Sequence, residues 1–205
     1  STPFTVTAPS ITGDGIITYA ITAETDLTDT VLDAGSVATI DGATGEITML
    51  KPGKVTVTAS LSETDKYTGD ITIDATFVIN KITGILGTFS ISNQTYDIEP
   101  FIFTAPSITG DGTITYAITG ETDLADNTLS PGSIATIDST TGEITMLRSG
   151  KVTVTATLLE TTNYSGAISV ASFNINRATS ILSTYSITDQ TYDVTPFTFT
   201  APTRT

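Results

Sequence analysis

Carboxylates are the only side chains in this sequence that could do chemistry in quantity. There are 22 Asp and Glu residues against 8 Lys and Arg, with no histidine and no cysteine. Thiol and imidazole catalysis, disulfides and the usual zinc ligand sets are thereby excluded. The acids crowd a segment that occurs twice, as Glu24, Asp26, Asp29 and Asp33 and again as Glu121, Asp123 and Asp126. Clustered loop carboxylates and backbone carbonyls can supply the roughly six to eight oxygens that calcium takes. These residues are the candidate metal ligands. Calcium is the one cofactor the sequence suggests, and it requires none. The spacing is not that of an EF-hand, and Asp33 becomes Ser130 in the second occurrence. A solvated acidic loop is the competing reading of the same residues.

Other candidate chemistry is thinner. Paired carboxylates hydrolyse glycosides when they face each other across a concave, aromatic-walled site. Tryptophan is absent here, and the tyrosines and phenylalanines recur one per strand rather than in a cluster. The expectation is that the chain is not an enzyme. Lys54 and Lys151 recur with Asn80 and Asn176, the pair of residue types from which an isopeptide cross-link forms. Lysines that decorate strand ends explain the same pattern. Asp14 and Asp111, in Gly-Asp-Gly, read as turn residues rather than ligands, and Asp41 and Asp138 begin hairpin turns in which an Asp side chain caps backbone N–H groups. A net charge of −14 repels nucleic acid and anionic lipid alike. No apolar run approaches the roughly 20 residues that span a bilayer, so this fragment is expected neither to bind nucleic acid nor to insert into a membrane.

The elements that must hold these acids are strands. Threonine alternates with Ile, Val, Phe or Ala through most of the chain, and β-branched residues at period two mark strands with one buried face. The chain also repeats itself at about 97 residues. Phe4-Thr-Val-Thr-Ala-Pro-Ser-Ile-Thr-Gly-Asp-Gly15 returns as Phe101-Ile-Phe-Thr-Ala-Pro-Ser-Ile-Thr-Gly-Asp-Gly112, and Phe197-Thr-Phe-Thr-Ala-Pro202 starts a third copy. The predicted strands of the second copy are 88–92, 101–104, 113–119, 133–137, 143–147, 151–158 and 167–176, with a long polar loop at 120–132. Recurring aromatics such as Phe4, Tyr19, Tyr67 and their partners Phe101, Tyr116, Tyr164 are assigned to the core. About seven strands per hundred residues, with frequent turn signals, is the rhythm of an immunoglobulin-like sandwich. The predicted fold is all-β: tandem immunoglobulin-like β-sandwich domains arranged as an elongated rod. The domains expected are 1–81 (lacking a first entry strand), 85–177 (complete) and 181–205 (entry strands of a third repeat).

The segment Val37-Ala-Thr-Ile-Asp…Thr44-Gly-Glu-Ile-Thr…Pro52-Gly-Lys-Val-Thr-Val-Thr-Ala59 resembles the bacterial Ig-like group 2 domain. That family's pattern is an Ala-Thr-Val-Asp strand, a Gly turn, a Val-Thr strand, a Pro-Gly turn and an Ile-Thr-Ala strand. The resemblance runs over 9–81 and 106–177, and the second copy departs from it with Arg148-Ser149 in place of Lys51-Pro52. It implies tandem repeats of prokaryotic surface proteins and adhesins, extracellular and at the cell surface. The expected role is a structural module, an adhesin stalk or surface-filament subunit acting as a semi-rigid spacer. Its expected partners are homotypic subunits or neighbouring repeats, engaged by self-assembly and strand complementation from the 181–205 segment. The alternative is an adhesion module that contacts a glycan or host protein through the 120–132 loop.

Overall fold

The computed structural model describes residues 2–69, 71–192, 196–199 and 201, and contains no helix among them. The expected third-repeat start at 181–205 therefore lies partly outside the described residues. No helix of the described chain is long and apolar enough to cross a membrane. The chain divides into two compact units. One holds Ser1–Gly87, Ser107–Ile114 and Thr157–Ile168, and the other holds Thr88–Pro106, Thr115–Ala156 and Ser169–Thr205.

In the first unit, β1 (Phe4–Thr5), β2 (Ile17–Thr25), β3 (Ala38–Ile40), β4 (Glu46–Met49), β5 (Gly53–Leu61) and β6 (Ile71–Ile79) build two sheets. Their orders are β1-β4-β3 and β2-β5-β6. Val37, Ala38 and Ile47 from one sheet bury against Val55 and Val57 from the other, which is the sandwich core that the alternation predicts. Threonines take the opposite face and pair across strands, Thr22 with Thr58 at 2.8 Å and Thr56 with Thr76 at 3.0 Å. Such cross-strand hydroxyl pairs let a β-branched residue serve both sides of the pleat. A short pair, β7 (Ile85–Leu86) with β9 (Ile108–Thr109), belongs to the same unit.

The second unit centres on the five-stranded order β11-β10-β14-β15-β8. Here β8 is Gln94–Thr95, β10 Ile114–Thr122, β11 Thr128–Leu129, β14 Gly150–Leu158 and β15 Ala167–Asn176. Opposite lie β12 (Ala135–Ile137) and β13 (Ile144–Met146), extended by mutual backbone hydrogen bonds between Phe101 and Ile144. Ile134, Ile144, Val152, Val154, Phe173 and Ile175 form its dry centre. Both units are thus immunoglobulin-like β-sandwiches.

Three expectations shift. The 120–132 loop contains β11, which pairs Leu129 with Glu121, so the loop is a hairpin tip. The 88–92 segment runs without a ladder, and its strand pairing begins only at Gln94. It is fixed by side chains instead: Ile91 is buried, and the Phe89 ring stacks on Phe103. Tyr67 is not a core residue either, being 47% exposed. Its ring lies over Gly13, whose φ of +128° and missing side chain make room for it.

Candidate functional site

The acidic residues divide by task. Glu24 and Glu121 are not loop residues: each sits near the end of a strand, β2 or β10, and is only 2% exposed. The Glu24 carboxylate accepts the backbone N–H of Ser36 at 2.7 Å, of Val37 at 3.2 Å and of Ala38 at 2.8 Å. Glu121 repeats this with Ser133 at 2.7 Å, Ile134 at 3.1 Å and Ala135 at 2.9 Å. Each carboxylate thereby staples the far end of its loop to the strand where the loop began. Three N–H donors are what a carboxylate without a counter-cation needs if it is to stay inside a sandwich. Simple alternation hides this role. A register shift between Ile21 and Ala23 changes the phase of β2, so Glu24 turns to the face that Tyr19 and Ile21 occupy. A bulge of this kind re-aims a side chain, and the composition gives no sign of it.

Asp26 and Asp123 close the tips of the same loops. Asp26 Oδ1 accepts the Thr28 hydroxyl at 2.7 Å and the N–H groups of Thr28 at 2.8 Å and Thr30 at 2.9 Å. The Thr28 hydroxyl, followed by the Thr30 amide, holds the Asp26 carboxyl down to about 2. Asp123 binds the Asn127 side chain at 2.9 Å and the N–H groups of Ala125 and Asn127, and the Asn127 amide side chain is the main cause of its lowered pKa. Asp29 and Asp126 follow in the left-handed conformation, with φ of 67° and 60°, where Asp is among the few tolerated side chains. Asp29 also pairs with Lys54. Asp33 is exposed, its carbonyl accepting Ser36 N–H. Of the seven sequence-predicted ligands, the two glutamates turn inward, Asp26 and Asp123 turn onto their own hairpin tips, and Asp29, Asp33 and Asp126 remain outside. Among the described residues no three of them converge on a point where a metal ion could sit.

The turn acids do what the sequence predicts. Asp41 accepts the amides of Ala43 and Thr44, and Asp138 those of Thr140 and Thr141. The Thr44 amide is the main cause of the lowered Asp41 pKa, and the Thr141 amide of the lowered Asp138 pKa. Asp14 and Asp111 each take a threonine hydroxyl, Thr64 at 2.7 Å and Thr161 at 2.6 Å.

Two further places carry polar backbone and apolar surface together. The first is the stretch after β6. Lys81 Nζ donates to Glu160 Oε1 at 2.5 Å and to the Thr161 carbonyl at 2.7 Å. Ile82 N–H donates to the Asn163 carbonyl at 2.8 Å and its carbonyl accepts Ser165 N–H at 2.9 Å. All of these residues belong to the first unit. Asn163 is thus engaged through its backbone carbonyl.

The second place is a sandwich seam. In the second repeat it is closed by 88–96. Ile175 pairs in parallel with Gln94, Tyr96 N–H donates to the Asn176 carbonyl, and Asn174 N–H donates to the Asn93 side chain at 2.8 Å. Ile91 enters the core, and Phe89, Phe103 and Tyr116 form a chain of rings 5.4 and 5.3 Å apart. In the first repeat the same seam is open. Ala171, Phe173 and Ile175 are buried, while their counterparts Ala75, Phe77 and Ile79 are exposed or half-buried. Tyr116 is buried and Tyr19 is not. A cleft of about 200 Å³ runs there, lined by Val6, Tyr19, Val57, Ala59, Ile73 and Phe77. Its floor strand β6 is the outermost of its sheet.

Fold and site together define an all-β protein of immunoglobulin-like sandwich type. No family model matches the chain, and no curated protein does. Solved structures do. One is protocadherin gamma B2 extracellular cadherin domains 3–6, at 13% identity and a TM-score of 0.34 over 80% of this chain and 43% of that one. Another is Drosophila N-cadherin EC1-4, at 14% and 0.30 over 85% and 45%. A third is a SusE-like surface located polysaccharide binding protein from Bacteroides thetaiotaomicron, at 19% and 0.27 over 78% and 29%. The chain spans less than half the length of each of these. The likeness is one of β-sandwich architecture, and nothing about ligands or partners follows from it.

Proposed function

We propose that this chain is a structural repeat module of an extracellular prokaryotic surface protein of the bacterial Ig-like group 2 kind. It serves as a semi-rigid spacer in an adhesin stalk or surface filament and assembles with copies of itself. Its modules are 1–81, 85–177 and the repeat that starts at 181. The observation that carries this reading is the duplication of employment. Glu24 and Glu121, Asp26 and Asp123, Asp41 and Asp138, and Asp14 and Asp111 make matching internal hydrogen bonds in the two repeats. Residues retained for binding or turnover would face a common cleft, whereas these bond to backbone amides and threonine hydroxyls of their own repeat.

The sequence between the repeats supports the spacer role, since 80–86 and 176–182 are not glycine- or serine-rich flexible linkers. Engagement of Glu121 and Asp123 in holding the 120–132 hairpin favours this reading over ligand capture by that loop. Small-angle scattering is the test. The expected pair-distance distribution is narrow and unchanged by salt, as a semi-rigid module gives. A broad distribution that changes with salt, as a flexible linker gives, would overturn the spacer.

A further inference from the structure

We infer that the second unit takes up an extended peptide strand of a protein partner, in a slot between 88–94 and 101–105. This goes beyond the spacer reading and does not depend on it. The segment 88–96 closes the sandwich toward β15. On its other side it leaves an opening of about 480 Å³, lined by 88–92, Gln94 and 101–105.

The opening exists because its two walls answer to different sheets. Gln94 and Thr95 pair with Ile175 and Asn176 of β15. Phe101 instead exchanges both of its backbone hydrogen bonds with Ile144 of β13. The walls alternate as strands do: Phe89, Ile91, Phe101 and Phe103 are buried or half-buried, while Ser90, Ser92, Ile102 and Thr104 are exposed. Yet among the described residues no backbone hydrogen bond reaches 88–91 or 102–105. Two strand edges with empty ladders therefore border one slot, and an unpaired edge is a template for another strand.

The chemistry of the walls selects the occupant. Walls of this length match about five residues of extended peptide, near 17 Å at roughly 3.4 Å each. The rings are committed to one another, Phe89 stacked on Phe103 at 5.4 Å, Phe103 edge-to-face with Tyr116 and Phe101 edge-to-face with Phe173. A sugar would want an open ring face; the slot offers main-chain groups and the hydroxyls of Thr88, Ser90 and Thr104. No charged side chain lines it, so the residues held inside are uncharged, and β-branched ones suit the extended form. The walls are joined through 95–100, where Asp97 and Glu99 are exposed. The end of the peptide that lies over this turn therefore carries a lysine or arginine.

The test titrates the whole 205-residue chain with the synthetic peptide Lys-Val-Thr-Val-Thr-Ala, which has this chemistry, and follows backbone amides by NMR. Without peptide, the Ser90 and Thr104 amides should exchange nearly as fast as in an unfolded chain. Millimolar peptide should shift 88–92 and 102–105 saturably and slow those two amides at least about tenfold. Methylating the two valine nitrogens of the peptide should weaken binding at least about tenfold, by removing two backbone donors. Glu99→Lys changes an exposed turn residue, so it should weaken binding about threefold with the melting temperature unchanged. The peptide Glu-Val-Thr-Val-Thr-Ala should regain that loss on the variant. Failure of the first peptide to bind, binding that leaves Ser90 and Thr104 unprotected, or equal binding of the methylated peptide overturns the proposal. Protection of the same amides by maltotetraose in place of the peptide also overturns it, and would make the slot a sugar site. The scattering profile of the free chain, which tests the spacer, is indifferent to all of these results.

Discussion

The carboxylate of Glu121 accepts the backbone N–H of Ala135 at 2.9 Å, and both residues are buried. With Ser133 and Ile134 completing the set, one side chain satisfies three consecutive amides at the point where the hairpin re-enters the sandwich. Removing it leaves those donors without a partner. Glu121→Ala should cost about 3 kcal/mol or more, at roughly 1–3 kcal/mol for each buried donor left unsatisfied. Chemical denaturation should show a lowered midpoint with the slope retained. Glu121→Gln should fall between the two, because its NH2 group replaces an acceptor with a donor.

The same residue in the first repeat makes a paired prediction. Glu24→Ala should destabilise by a similar amount, measured by amide exchange at Val37 and Ala38, the residues its Oε1 binds. Loss of protection confined to these and to Ser36 would identify local opening, and loss throughout β3 would identify global unfolding.

Acid should act through the loop-tip aspartates. Asp26 titrates at about 2 in the folded chain, and Asp41, Asp123 and Asp138 are also lowered. A depressed folded-state pKa contributes stability that is present above the unfolded value, near 4, and is lost as pH falls through the folded one. The melting temperature should therefore be flat above about pH 5 and decline between about pH 4 and pH 2. Carboxyl-carbon NMR of Asp26 checks the assignment, with a midpoint near 4 counting against the Thr28 contact.

Calcium is tested by the same melts. A calcium site of the weak extracellular class, with Kd near 1 mM, would add about 1.4 kcal/mol at 10 mM ion. The expected shift is smaller, because Glu24, Asp26, Glu121 and Asp123 already direct their oxygens at backbone amides or hairpin tips. A saturable rise in melting temperature, abolished by Asp29→Asn or Asp126→Asn, would instead assign those outer acids to a cation.

Lys81→Met should loosen the stretch after β6. Its side chain is 22% exposed, and its ammonium holds both Glu160 and the Thr161 carbonyl. The expected effect is about 1 kcal/mol, or about fivefold faster exchange at the Ile82 amide, with the sandwich cores unchanged.

The sheets were legible in the sequence because threonine alternation at period two leaves little choice of face, and β15 ends at Asn176 as predicted. The turns at Asp41 and Asp138 were legible for a similar reason, since an Asp two and three residues ahead of amide donors has one favourable geometry. The glutamate staples were not. Glu24 follows a register shift in β2, and a one-residue irregularity reverses every inference from alternation beyond it. The open seam was visible only as a strand unmatched in the first repeat; that Phe77 and Tyr19 stay uncovered, and that Asn93 binds the edge of β15 with its side chain, required coordinates.

The staple also determines what surroundings the fold tolerates. Glu24 and Glu121 are held by amide dipoles fixed in the chain itself, so brine cannot screen them as it would an exposed ion pair. Nor does any thiol in the chain respond to a reductant. The hairpins should keep their shape across swings in salinity and redox state, leaving strong acid as the condition that loosens them.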